Sequence, residues 1–279
     1  MSQTAIPEGQ EHSSRFAPVS AEEDDYRFEA ELYDVLWSDL NSLDLDFLLE
    51  SAAKYGGPLL ELGCGTGRVL LPCLEHVGRA VGVDRSPSML EKGRANLEAA
   101  GVAPSAAAFV EADLRDFEVG ETFGLVLAGG QTMFHLSTDE DWAQCLAAVR
   151  RHMAPGARFV AGVPVFLEAD FKNYDHRQLF VNEIRHPRTN ERIAMWDYSV
   201  FDHDEQTITR RRVSEILDEQ GVVRERRHDI RTNYYRFPDQ IRALLAGAGF
   251  RIEHEYGDYD GAPWTPESEE YVWVATAAE

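Results

Sequence analysis

Three glycines on alternate positions, Gly63, Gly65 and Gly67, follow the apolar start of LLELGCGTGRVL, with Glu61 just upstream. Glycine lets a backbone approach a ligand closely and adopt φ > 0, so the triplet fits a tight turn, a phosphate cradle or another nucleotide site. A dinucleotide loop reads G-x-G-x-x-G, its third glycine easing helix–strand packing beside a pyrophosphate. Here that position is Arg68, and the Lys-Ser/Thr ending of a phosphate-binding loop is missing as well. Asp84 stands 19 residues past Gly65, at the end of the next apolar run, where an acid can take both hydroxyls of a ribose. Asp113 closes the third run, in reach of an adenine amino group. Gly129 and Gly130 close a fourth and leave room for a ligand. Four successive strand ends thus carry ligand-type residues on the carboxyl edge, where open α/β sheets bind.

A second group of residues has the chemistry to move a proton or shape an acceptor pocket. His135 lies a turn beyond Gly130 and is of the right pKa class for a base; the alternative is a histidine that braces the loop. Glu168 and Asp170, beside Phe166 and Phe171, are either bases on the acceptor side or members of a solvated loop. Gln131, Phe166, Trp196, Tyr198, Tyr234 and Tyr235 are candidate pocket residues, although aromatics in strands also serve as plain sheet packing. The histidines show no metal-ligand spacing, so no metal site is expected. Cys64, Cys73 and Cys145 are odd in number and unpatterned, and read as reduced thiols of a cytoplasmic protein.

The elements that must position these residues follow from periodicity. Residues 1–25 are polar and acidic and read as a mobile arm. YRFEAELYDVLW and LDLDFLLESAAKYG have apolar residues at helical spacing. From PLLELG to ARFVAGVPV, five short apolar strands alternate with helices, including one with Ser86 as N-cap and Pro87 in its first turn. That rhythm indicates βαβ units on a parallel sheet. Between residues 166 and 235 it gives way to three runs of period-two character, an antiparallel meander. FPDQIRALLAGAGF restores a helix, and RIEHEYGDY with YVWVAT supplies a final strand pair. The chain therefore divides into an arm, a core at 26–165 and 236–279, and an insertion at 166–235.

With 279 residues and a formal net charge of −22, the chain can bury a large core and is a poor partner for nucleic acids and anionic membranes. The insertion holds 12 of the 27 Lys and Arg residues against 14 Asp and Glu. That local balance reads as cross-strand charge pairing in preference to a substrate-steering patch.

The string ELGCGTGRVL, then VGVDRSPSML, then EADLRDF resembles the class I S-adenosylmethionine-dependent methyltransferases over residues 26–165 and 236–279. The resemblance implies a Rossmann-like α/β fold with a seven-stranded sheet ending in an antiparallel hairpin, and S-adenosyl-L-methionine as cofactor. It also implies that Glu61, Gly63, Cys64 and Gly65 surround the methionyl chain and that Asp84, followed by Arg85, holds the ribose. Met89 would pack near the adenine, Asp113 and Leu114 meet its edge, and Ala128 with Gly129 form the floor. ELYDVLW resembles a lid helix, making Tyr26 and Tyr33 candidates to cover the cofactor. Arg68 would bind the cofactor carboxylate or pair with lid acids. The insertion is similar to the antiparallel caps of natural-product and sugar N- and O-methyltransferases, which implies a small-molecule acceptor and a homodimer contact through the inserted sheet. The expected reaction is methyl transfer to nitrogen, oxygen or carbon. A nicotinamide-linked oxidoreductase and a catalytically silent binding protein are the alternatives.

Overall fold

Strands buried on both faces read as continuous apolar runs, and those runs are where the sheet forms. The computed structural model describes residues 26–37 and 44–278; the arm read at 1–25 lies outside them. The first five strands are β1 (Leu59–Leu62), β2 (Ala80–Asp84), β3 (Ala107–Glu111), β4 (Phe123–Ala128) and β5 (Met153–Pro164), and the last two are β10 (Phe250–Tyr256) and β11 (Glu270–Ala277). They form one sheet in the order β10-β11-β5-β4-β1-β2-β3. The pairs among β1 to β5 are parallel; β11 runs antiparallel to both β5 and β10. This is the expected Rossmann-like sheet with its terminal hairpin.

Helices cover both faces. Leu48 and Ala52 of α2 (Leu45–Tyr55) and Leu70 and Cys73 of α3 (Leu70–Val77) pack with Leu59, Leu125 and Leu127. Trp142 and Leu146 of α5 (Asp139–His152), with Ile241 and Leu245 of α7 (Pro238–Gly247), pack with Leu60, Leu62, Val126 and Phe159 on the other face. Each fully buried large apolar side chain contributes about 1.5–3 kcal/mol, so this two-sided core fixes the strand ends from which the site is built. Ser86 caps α4 (Pro87–Ala99) by accepting from Met89 N, with Pro87 in the first turn.

Two local expectations change. The strap at residues 26–37 is mostly turns, and only α1 (Tyr33–Leu36) is helical. Its apolar side chains, Leu32 and Leu36, pack on Ile184, Ile193 and Met195 of the insertion, so tertiary contacts replace helix propagation. The insertion begins with α6 (Glu168–Tyr174) and has four strands where three runs were read. They are β6 (Arg177–Arg185), β7 (Arg192–Asp202), β8 (Thr207–Leu217) and β9 (Val223–Tyr234), antiparallel in that order. β6 escapes the period-two pattern because it is an exposed edge strand whose register shifts between Phe180 and Asn182.

Candidate active site

The loop after β1 turns on Gly63, Gly65 and Gly67, at φ 60°, 51° and 81°. A Cβ on Gly63 would sit 2.5 Å from Thr132 Oγ1, so side chains are excluded by space as well as by backbone. Asp84, at the end of β2, holds the loop: its carboxylate accepts from Gly65 N at 2.8 Å and from Ser86 N at 2.9 Å. Burial raises the Asp84 pKa and these two hydrogen bonds oppose the rise. Met89 is buried and its Cε packs against Gly65. Cys64 is buried beneath Gly82, and burial pushes its thiol well up, so it is a packing residue and no nucleophile.

Glu61 is 3% exposed, and its Oε2 has no hydrogen-bond partner among the described residues. Burial, together with the nearby Asp44 and Asp84 carboxylates, raises its pKa to about 8 against the pull of Arg68. The Leu70 backbone N–H serves the carboxyl, but a buried carboxyl oxygen without a partner is still costly, and an ammonium group placed there would relieve it. Arg68 is engaged by Asp44 in a two-point ion pair of 2.8 and 2.6 Å, and Asp44 also accepts from Gly130 N at 3.1 Å. Of the two readings of Arg68, pairing with an acid is the one seen in this state. Asp44 itself was hidden in the sequence among the acids of LNSLDLD.

At the next two strand ends the picture is mixed. Asp113 is held by the Arg115 guanidinium, which lowers its pKa, and Arg115 also reaches Asp141. Leu114 is partly buried against the core. Ala128 is fully buried, Gly129 lies under Leu48, and Gln131 takes a left-handed conformation at φ 65°. Strained backbone of that kind persists where surrounding structure over-determines it. Thr132 supplies the constraint, its hydroxyl donating to Gly129 O at 2.7 Å.

Beyond β4 the strap, the loop 130–135 and the strands β8 and β9 enclose a chamber of about 100 Å³. Tyr26, Tyr33, Gln131 and His135 line it, opposite Arg210, Arg212, Arg231 and Asn233. His135 Nε2 lies 3.1 Å from the Tyr26 hydroxyl, and its Nδ1 lies 3.3 Å from the Asn233 side-chain amide. The protein packed around the ring, with the Arg85 and Arg231 charges, lowers the His135 pKa to about 4. The ring edge is accessible all the same, and water reaching it moderates that shift. Burial also raises the Tyr26 and Tyr33 phenols, so both are neutral donors at physiological pH.

Several candidates are not brought here. Trp196, Tyr198 and Tyr234 have the opposite strand parity from Asp197, Arg210, Arg212, Arg231 and Asn233, and so project from the other face of the inserted sheet. Trp196 packs on Phe180, and the Tyr198 hydroxyl meets His176 at 3.0 Å. Phe166 and Tyr235 sit in an aromatic cluster with Phe134, Phe171, Phe201 and Ile208. The Phe134–Phe166 stack separates the chamber from an open apolar hollow of about 890 Å³ lined by Phe171, Phe237 and Trp264. Glu168 is at that hollow, its carboxylate paired with Lys172 and exposed to solvent. Asp170 caps α6 by accepting from Leu167 N at 2.8 Å. The charged wall of Glu29, Arg210, Arg212 and Arg231 was missed; the alternation of Arg210 and Arg212 along β8 was its signal.

No cluster that could hold a metal occurs among the described residues, and no described helix is long and apolar enough to cross a membrane.

Residues 59–156 match a family model described as a methyltransferase domain. That match, the strand order and the glycine loop agree with the class I S-adenosylmethionine-dependent methyltransferases that the sequence resembles. The chain is similar to the cypemycin N-terminal methyltransferase of a Streptomyces species, 26% identical over 223 residues that cover 78% of this chain and 82% of that one. It is 29% identical over 113 residues to the dTDP-3-amino-3,4,6-trideoxy-alpha-D-glucopyranose N,N-dimethyltransferase of Streptomyces venezuelae, covering 40% of this chain and 45% of that one. Among solved structures, an S-adenosylmethionine-dependent methyltransferase from Clostridium acetobutylicum superposes with a TM-score of 0.75 at 15% identity, covering 91% of this chain and 99% of that one. That likeness is one of fold.

Proposed function

We propose that this enzyme methylates a nitrogen of a small molecule held in the chamber between the strap, the loop 130–135 and the inserted sheet. The observation that carries the reading is His135: a neutral, accessible imidazole on the chamber wall, immediately beyond the strand end that floors the cofactor site. The relatives named for N-methylation support nitrogen over oxygen and carbon.

When bound, the cofactor supplies an electrophilic methyl group on a sulfonium. The chain's residues fit it: the unpartnered Glu61 Oε2 for an ammonium, the glycine loop for close approach, and Asp84 for a ribose diol. An amine attacks only as the neutral base. His135 is placed to relay to solvent the proton that an arriving ammonium must lose, giving up its contact with Tyr26 or Asn233 as the proton passes. The strap narrows the access of water to the chamber, and alignment in that space supplies much of the rate. We assign the outer face of the inserted sheet, where Phe180 is 55% exposed beside Trp196, to a homodimer contact.

The test is methyl transfer to an amine library, read by mass as gain of one methyl group, with wild type and His135→Gln compared. The variant should retain binding of S-adenosylhomocysteine and lose about a hundredfold in kcat. An unchanged kcat would remove His135 from proton transfer and return it to bracing the loop.

Glu61 adds a prediction about protons. At pH 7, below its value of about 8, the unliganded carboxyl is mostly protonated, whereas pairing with an ammonium requires the carboxylate. Binding of S-adenosylhomocysteine should therefore release roughly half a proton or more per site. Calorimetry in buffers of different ionisation heat measures this, and Glu61→Gln should abolish the release. The raised value has a second consequence. The unfolded chain gives up this proton near 4.5 and the folded chain near 8, so Glu61 costs the unliganded protein stability as pH rises across that window. Cofactor binding should restore it.

A further inference from the structure

Three arginines face the chamber from adjacent strands. Arg210 and Arg212 share one face of β8, and Arg210 lies directly opposite Arg231 of β9. Like charges directly across a ladder are destabilising, so each needs an anion. Arg212 has two: Asp197 at 2.8 Å through both Nε and Nη2, and Glu29 at 3.2 Å. Arg231 has Glu29 at 2.8 Å and Asp229 at 3.1 Å. Arg210 has a single ion-pair contact among the described residues, 3.7 Å from Asp197, whose carboxylate is already taken by Arg212. Its other cross-strand neighbour on this face is Ser199, a neutral hydroxyl. The Arg210 side chain keeps 37% of its surface, and it borders the chamber.

An arginine fork presents parallel N–H donors that match the oxygens of carboxylate and phosphate groups. The chamber of about 100 Å³ has room for about three waters, the scale of one such group. We infer that Arg210 is the acceptor-recognition residue of the chamber and that the acceptor carries an anionic oxygen group, a carboxylate or a phosphate, which docks on its guanidinium. This rests on the chamber being the acceptor site. It narrows the substrate class to amines that bear such a group, and it gives the charge-balanced insertion one cation reserved for ligand.

The experiment titrates the full chain, saturated with S-adenosylhomocysteine, with inorganic phosphate, with acetate, and with methylammonium as the cationic control. Ionic strength is held constant with chloride. Fluorescence of Trp37, which lines the chamber, reports occupancy, and Trp37→Phe identifies its part of the signal. Saturable binding of phosphate or acetate, and not of methylammonium, is expected, and whichever anion saturates at lower concentration names the group. Arg210→Gln should weaken it about tenfold or more, Arg210→Lys should restore part of the loss, and Arg251→Gln, at a distant surface ion pair, should leave it unchanged. No saturable anion binding, or equal affinity in Arg210→Gln, would overturn the assignment. S-adenosylhomocysteine affinity, read separately, should stay within about twofold in every variant. Failure of anion binding with normal cofactor binding and normal methyl transfer strikes the Arg210 inference alone; failure of methyl transfer strikes the functional reading.

Discussion

Replacing Asp84 with alanine should weaken binding of S-adenosylhomocysteine by about a thousandfold, the largest effect expected of any single change at the cofactor site. Two terms combine. A carboxylate that takes both hydroxyls of a ribose makes two charge-assisted hydrogen bonds, each worth about 1.5–3 kcal/mol, or about two to four decades in Kd together. The same carboxylate also accepts from Gly65 N and Ser86 N, so its removal frees the glycine loop and leaves two donors without their partner. Asp84→Asn keeps the shape and one acceptor oxygen and should lose about ten- to a hundredfold. Isothermal titration on wild type and both variants decides the matter. An affinity within a few-fold of wild type in Asp84→Ala would mean that the ribose lies elsewhere and that Asp84 serves only the loop.

The residues behind this prediction were readable because their constraint is local. Gly63, Gly65 and Gly67 are set by backbone conformation, and Asp84 by the end of the strand that carries it, so a linear pattern records them. Ser86 and Pro87 announce α4 in the same way. The chamber has no such record. Its walls come from three segments far apart in the chain: the strap, the loop 130–135, and β8 with β9. Strand parity is the sharpest case. Tyr234 and Tyr235 are neighbours in sequence, yet Tyr234 projects from the far face of the inserted sheet and Tyr235 is 2% exposed within the aromatic cluster. A register slip of one residue exchanges the faces of a strand, and composition alone does not fix it. Arg210 was legible as one of many basic residues; that it is the chamber arginine with a single ion-pair contact among the described residues depends on where Glu29 and Asp197 lie in space.

If the chamber is the acceptor site, as proposed, a volume of about 100 Å³ requires the strap to lift for an acceptor larger than one small group, and Glu29 is placed to hold it down. It is 5% exposed, and its two oxygens bind Arg212 and Arg231. Arg231 also lies 3.9 Å over the ring of Tyr26, and Arg227 lies 4.3 Å over Phe28. At its other end the strap is tied to the glycine loop and to α4, where Thr66 Oγ1 donates to Asp34 at 2.6 Å and the Asn96 side-chain amide donates to it at 3.0 Å. Breaking a buried ion pair costs about 3–5 kcal/mol where the partner charge is stranded. Here Arg212 and Arg231 keep Asp197 and Asp229, so about 2–3 kcal/mol is expected for Glu29→Ala, with roughly half of it for Glu29→Gln. That loss falls on strap opening and leaves the two-sided sheet core untouched. Cleavage by trypsin at the exposed Arg27 should therefore accelerate about thirty- to 150-fold under conditions where opening is at equilibrium, while the main thermal transition moves little. Activity should fall through the acceptor's KM and through loss of the Tyr26 contact to His135. S-adenosylhomocysteine should suppress the excess cleavage only if bound cofactor closes the strap from its Asp34 end. A cleavage rate in Glu29→Ala equal to that of wild type would show that the apolar contacts of Leu32 and Leu36 hold the strap without the charge cluster, and that Glu29 serves only to neutralise the arginines.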